Sequence, residues 1–140
     1  MTMTTIHPLA RAYADRNGLG PEAFRPDGRL VLEFDDRYRV QLRPASEGRI
    51  ALVARLADLG QWPRGMADDL LLRLSAKGAG LLRAHAAGLV IEEAFDSLQL
   101  QRVLPNTLGV EGLEKELGAF LNLLTFWRDV CSEWAARRVA

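Results

Sequence analysis

The segment RLVLEFDDRYRVQLRP, residues 29–44, alternates apolar and charged side chains on both sides of an acidic pair. Successive strand residues point to opposite faces, so this alternation specifies a β-hairpin with one apolar face. A two-residue turn at Asp35 and Asp36 would set Phe34 against Arg37 and Leu32 against Arg39, mixing the two faces. A three-residue loop, Asp35 to Arg37, instead sets Phe34 against Tyr38, Leu32 against Val40 and Leu30 against Leu42, with Glu33 opposite Arg39 on the other face. A slip of one residue would turn every apolar side chain toward water, so the second register is the expected one.

The rest of the chain supplies partners for that apolar face. RPASEG turns the chain, and RIALVARLA continues as a third strand with Ile50, Leu52, Ala54 and Leu56 on one side. Its other side interleaves Ala51 and Val53 with Arg49 and Arg55, leaving apolar surface that water or a partner must cover. Ahead of the hairpin, Ile6, Leu9, Ala10, Tyr13 and Ala14 recur at helical spacing and form a first amphipathic helix that Asn17 and Gly18 close. GLGPEAFRPDG follows as a loop in which Leu19 and Phe24 tuck against the core.

From Pro63, the stretch PRGMADDLLLRLSAKGAGLLRAHAAG reads as a second helix with Leu70, Leu71, Leu74, Leu81 and Leu82 on its apolar stripe. Asp68 and Asp69 favour its N-terminal dipole, while Gly78 and Gly80 bend or break it. LVIEEAF and LQLQRVL flank Asp96 and Ser97 as a second hairpin, which Pro105 stops. A last helix runs from about Val110 to the terminus, with Leu113, Leu117, Phe120, Leu124, Trp127, Cys131 and Trp134 on one stripe and Leu123, Phe126 and Val130 on a second. The expected fold is α+β, in the order α-β-β-β-α-β-β-α: an antiparallel five-stranded sheet packed by helices, in a single domain over residues 1–140.

Composition narrows the function classes. Eighteen basic residues balance eighteen acidic ones, without the basic excess that phosphate neutralisation demands, so nucleic acid is not an expected partner. All the basic residues except Lys77 and Lys115 are arginines, which suit paired and interface positions better than lysine. A single cysteine, Cys131, allows no internal disulfide and fits a reducing compartment. The N-terminal stretch does not read as a signal peptide, and no run approaches the roughly 20 apolar residues that span a bilayer. A cytoplasmic protein without membrane insertion is expected.

Catalytic constellations are missing from the sequence. There is no phosphate-cradling glycine motif, and GAG at 78–80 runs into two leucines. His7 and His85, the two histidines, stand at no metal-ligand spacing with cysteine or acidic residues. Asp35 with Asp36 and Glu92 with Glu93 are adjacent acids on turns and rims, where neighbouring side chains diverge. Cys131 falls on an apolar helical stripe and reads as a small core residue; Trp62, Trp127 and Trp134 belong to the core or to a partner contact. We expect no enzyme, no catalytic residue, no cofactor and no metal. An open antiparallel sheet still offers one binding device, edge strands that template a strand from another chain.

LLRAH at 81–85, LQLQRVLP at 98–105 and LEKELGAFLNLLTFWRDVCSEW at 113–134, in this order of elements, resemble class I type III secretion chaperones of the Tir chaperone family. The resemblance implies a cytoplasmic homodimer that binds the N-terminal chaperone-binding segment of a secreted effector protein and keeps it soluble and secretion-competent without ATP. It places Leu70, Leu74, Leu81 and Leu82 at a dimer interface and Leu9, Tyr13, Val31 and Val53 on the effector-binding surface. Members tend to be acidic, whereas this chain is neutral with a pI of about 6.7, which implies a less basic cargo. The same scaffold would also serve a regulatory or adaptor domain that binds a folded partner.

Overall fold

The computed structural model describes residues 6–34, 38–58, 88–92 and 97–139. Helix α1, Pro8–Arg16, begins at His7, whose Nδ1 accepts the Leu9 amide at 3.1 Å while Nε2 donates to the Gly48 carbonyl at 2.7 Å. Proline at the first helical position adds a preset φ where no amide partner is needed. Asn17 closes the helix, Gly18 follows at φ +69°, and Ala10, Tyr13 and Ala14 form its buried stripe.

Five strands follow: β1 Leu30–Phe34, β2 Tyr38–Pro44, β3 Ile50–Asp58, β4 Gly88–Glu92 and β5 Ser97–Leu104. They form one antiparallel sheet in the order β1-β2-β3-β5-β4, so β5 is inserted between β3 and β4. The first hairpin has the expected register, with Phe34 opposite Tyr38, Leu32 opposite Val40, Leu30 opposite Leu42 and Glu33 opposite Arg39. The acidic turn itself, residues 35–37, lies outside the described residues. Between β3 and β5 the register shifts after Arg55, which pairs Gln99, so that Ala57 pairs Leu98 and Leu56 is the extra residue of a bulge. Strand β5 ends at Leu104, where Pro105 has no amide to continue the ladder.

The turn between β2 and β3 is held from two directions. Glu47 (φ 61°) and Gly48 (φ +74°) both take left-handed backbone there. His7 bonds the Gly48 carbonyl, and the Asn106 amide donates to the Glu47 carbonyl at 3.0 Å.

Helix α2, Val110–Val139, covers the inner face of the sheet together with α1. The stripe Leu113, Leu117, Phe120, Leu124, Trp127 and Cys131 is buried against Leu30, Leu32, Val40, Leu42, Ile50, Leu52, Ala54, Leu56, Leu98, Leu100 and Leu104. Leu19 and Phe24 pack onto this core from the loop before β1, as expected, and Phe24 also bridges Leu30. The second stripe of α2 is largely absorbed by the same core: Leu123 is buried and Val130 packs against it, leaving Phe126 exposed at 44%. Arg102, on the inner face of β5, reaches Glu116 of α2 at 2.9 Å, an ion pair joining the sheet to the helix. Trp127 is fully buried, yet its indole Nε1 has no hydrogen-bond partner among the described residues.

Candidate functional site

The face of the sheet turned away from α1 and α2 is the one that sequence alternation left mixed. Strand register lines up Val31, Gln41, Val53 and Gln101 in one row across β1, β2, β3 and β5. Neighbouring rows hold Glu33 with Arg39, Arg55 with Gln99, and Arg43 with Ala51. A concavity of about 720 Å³ opens over this face. Five arginines line it: Arg29 ahead of β1, Arg39 and Arg43 on β2, Arg55 on β3 and Arg128 from α2. Val53 forms part of its floor, and Asp27 contributes a carboxylate.

Most of these guanidinium groups are oriented by neighbours. The Gln41 side-chain oxygen accepts from Arg43 Nε at 2.9 Å and from Arg29 Nη1 at 3.3 Å, so one amide aligns two cations. Asp27 Oδ2 lies 2.7 Å from Arg29 Nε, and the Arg29 hydrogen bond holds the Asp27 carboxyl below its usual range. Arg39 pairs with Glu33 at 2.9 Å. Arg128 donates to the Arg55 carbonyl through Nε (3.3 Å) and Nη2 (3.0 Å) and lies 4.9 Å above the centre of the Tyr38 ring. Arg43 therefore meets a neutral amide, and the exposed Arg55 side chain has no acid partner among the described residues. On β5, Gln101 donates to Gln99 and Gln99 to Ser97, a ladder that satisfies polar groups on a strand buried on both faces from Ser97 to Leu100.

The residues singled out from the sequence do not form one patch. Leu9 and Tyr13 lie on α1, on the inner side of the sheet, whereas Val31 and Val53 lie in the outer row. Leu9 and Val31 are half-buried, while Tyr13 and Val53 are only 8% and 3% exposed. The apolar gap expected beside Val53 is thus closed within the chain itself. Leu70, Leu74, Leu81 and Leu82 lie outside the described residues, as do His85 and Trp62.

No group of histidine, cysteine and acidic side chains suited to a metal ion occurs among the described residues. Burial pushes the Cys131 thiol up to about 11, which keeps it protonated and inert near neutral pH. Desolvation, with a smaller contribution from Glu114, likewise raises the Tyr13 hydroxyl. None of the described helices is long and apolar enough to cross a membrane. What the described residues form here is a concave sheet face lined by oriented cations. Arg39 and Arg55 were legible from strand alternation as residues of the mixed face, and Arg43 follows Arg39 at the same two-residue period. Arg128 joins them from 73 residues away.

Comparison with known proteins bears on the same fold. The sequence model of the Tir chaperone protein (CesT) family matches residues 9–128. No curated protein matches the chain. Among solved structures, a chain of the ExsC–ExsE complex is 23% identical, with a TM-score of 0.67 and coverage of 92% of this chain and 96% of that one. A chain of the HopA1–SchA chaperone–effector complex is 21% identical, with a TM-score of 0.63 and coverage of 86% and 91%. A chain from the Yersinia pestis type III secretion chaperone SycH in complex with a stable fragment of YscM2 is 18% identical, with a TM-score of 0.57 and coverage of 88% and 99%.

Proposed function

Since the chain belongs to the Tir chaperone protein (CesT) family, we propose that it is a cytoplasmic type III secretion chaperone for a secreted effector. It acts as a homodimer on the N-terminal chaperone-binding segment of that effector, holding it soluble and competent for secretion. The observation that carries this reading is the family match across most of the length. Its physical counterpart is an antiparallel sheet whose outer face and edges offer surface to another chain. The same fold in a solved chaperone–effector complex and in a type III secretion chaperone bound to a protein fragment supports it further.

In this reading the protein works by binding alone. It has no catalytic step and uses no ATP, consistent with a sequence that lacks a phosphate-cradling glycine loop. Leu70, Leu74, Leu81 and Leu82 make the dimer contact. The effector meets two surfaces, one along α1 at Leu9, backed by Tyr13, and one on the outer sheet face at Val31, backed by Val53. Burial makes Leu9 and Val31 the members of each pair that touch cargo first.

Co-purification from the native cell, followed by identification of the bound chain and limited proteolysis, tests this function. The expected result is a secreted protein protected at its N-terminal segment, on a chaperone whose mass by light scattering is twice 15.5 kDa. A 15.5 kDa monomer at micromolar concentration, or recovery of a folded regulator in place of a secreted chain, would overturn the proposal.

A further inference from the structure

We propose that the arginine-lined concavity on the outer face of the sheet binds an extended acidic stretch of the polypeptide partner, its carboxylates meeting Arg43 and Arg55. The inference rests on the reading of this chain as a binder of an extended polypeptide, and adds the chemistry that the bound segment must carry.

Charge complementarity is the first ground. Among the described residues, five arginines line the concavity with one carboxylate, that of Asp27, in a chain whose overall charge is zero. That carboxylate is engaged by Arg29, and Arg39 is engaged by Glu33 at the rim. Arg43 and Arg55 remain without an acid among the described residues. Guanidinium groups present a planar fork matched to carboxylates, and charge-assisted bonds of that kind are the strong ones. Gln41 orients Arg43 without neutralising it, so the cation is aligned and available.

Spacing is the second ground. In the sheet register Arg43 pairs Ala51, and Arg55 lies four residues further along β3. At about 3.3 Å per residue the two positions are roughly 13 Å apart along the strand direction at the backbone. An extended segment with carboxylates on one face, at alternate positions, spans that interval. Val53, which lines the concavity, lies on β3 between the two positions.

The test titrates the full-length protein with a dye-labelled peptide of about nine residues alternating serine and glutamate, followed by fluorescence anisotropy at low and raised salt. Peptides with glutamine or lysine in place of glutamate are controls, as is a single-stranded oligonucleotide of equal charge. Saturable binding of the glutamate peptide alone is expected, weakened on the order of tenfold in R43Q/R55Q and by added salt. The charge-matched variant R11Q/K115Q, altered at exposed positions on the helices, should bind like the wild type. Circular dichroism confirms that each variant is folded.

No saturable binding by the wild type overturns the inference. Equal weakening in R11Q/K115Q, or tighter binding of the oligonucleotide, overturns it too. Capture of the same secreted partner equally well by wild type and R43Q/R55Q sinks the acidic-segment inference and leaves the chaperone reading standing. Failure of the wild type to capture any secreted chain sinks the chaperone reading, while the peptide titration still decides the concavity.

Discussion

Trp127 offers a sharp test of the packing argument, because it is fully buried while its indole N–H meets no acceptor among the described residues. The perturbation is Trp127→Phe. Losing roughly 40 Å² of buried apolar area at about 25 cal/mol per Å² costs about 1 kcal/mol. The space left behind, roughly 40 Å³ at about 24 cal/mol per Å³, costs about 1 kcal/mol more. Against this, removing an unsatisfied buried donor releases about 1–3 kcal/mol. The two sides nearly cancel, so W127F is expected within about 1 kcal/mol of the wild type, whereas W127A should lose about 3–5 kcal/mol. Urea unfolding followed by far-ultraviolet circular dichroism at one fixed protein concentration measures both, since the substitution removes a fluorophore and association would shift apparent stability. A loss above about 2 kcal/mol in W127F with an unchanged m-value would refute the reasoning, showing that the N–H is bonded and contributes to the fold.

Three further outcomes follow from the same structure. Cys131, with its thiol pushed up to about 11 by burial, should react with a disulfide reagent at pH 8 only as fast as the protein opens, and at full speed in denaturant. Because its folded value is raised, the protonated thiol favours the folded state, so this contribution to stability is lost as pH rises through the ordinary thiol range. Glu47→Gly relieves a non-glycine residue at φ 61° and should raise stability by up to about 1 kcal/mol in thermal melts, while Gly48→Ala at φ +74° should lower it by a similar amount. The partly buried pair Arg102–Glu116 should show a coupling of about 1 kcal/mol in a double-mutant cycle, against under about 0.5 kcal/mol for the exposed pair Glu33–Arg39.

The first hairpin was legible because its pattern is local. Alternation at Leu30, Leu32, Val40 and Leu42 admits one register, and that register is present. The helical stripe from Leu113 to Cys131 was legible for the same reason, a period of 3.6 maintained over several turns. Cys131 was legible as a core residue from its place on the apolar helical stripe, and it is buried. Less accessible was the fate of surfaces. Val53 read as apolar surface between arginines for water or a partner to cover, yet it is only 3% exposed within the chain. On the second stripe of the last helix Leu123 is buried and Phe126 stays exposed, a difference that periodicity does not state.

The sequence by itself determined the strands, the register of the first hairpin, the first and last helices and the family, since each rests on patterns within a few tens of residues. Tertiary structure alone decided that β5 enters between β3 and β4, and that α1 and α2 share one face, so that Leu9 and Tyr13 are separated from Val31 and Val53 by the sheet. It alone also brought Arg128 to Arg55 and Tyr38, completing the cationic concavity. The physical reason is that periodicity states which side of an element is apolar, whereas strand order and helix placement depend on which of several apolar faces meet.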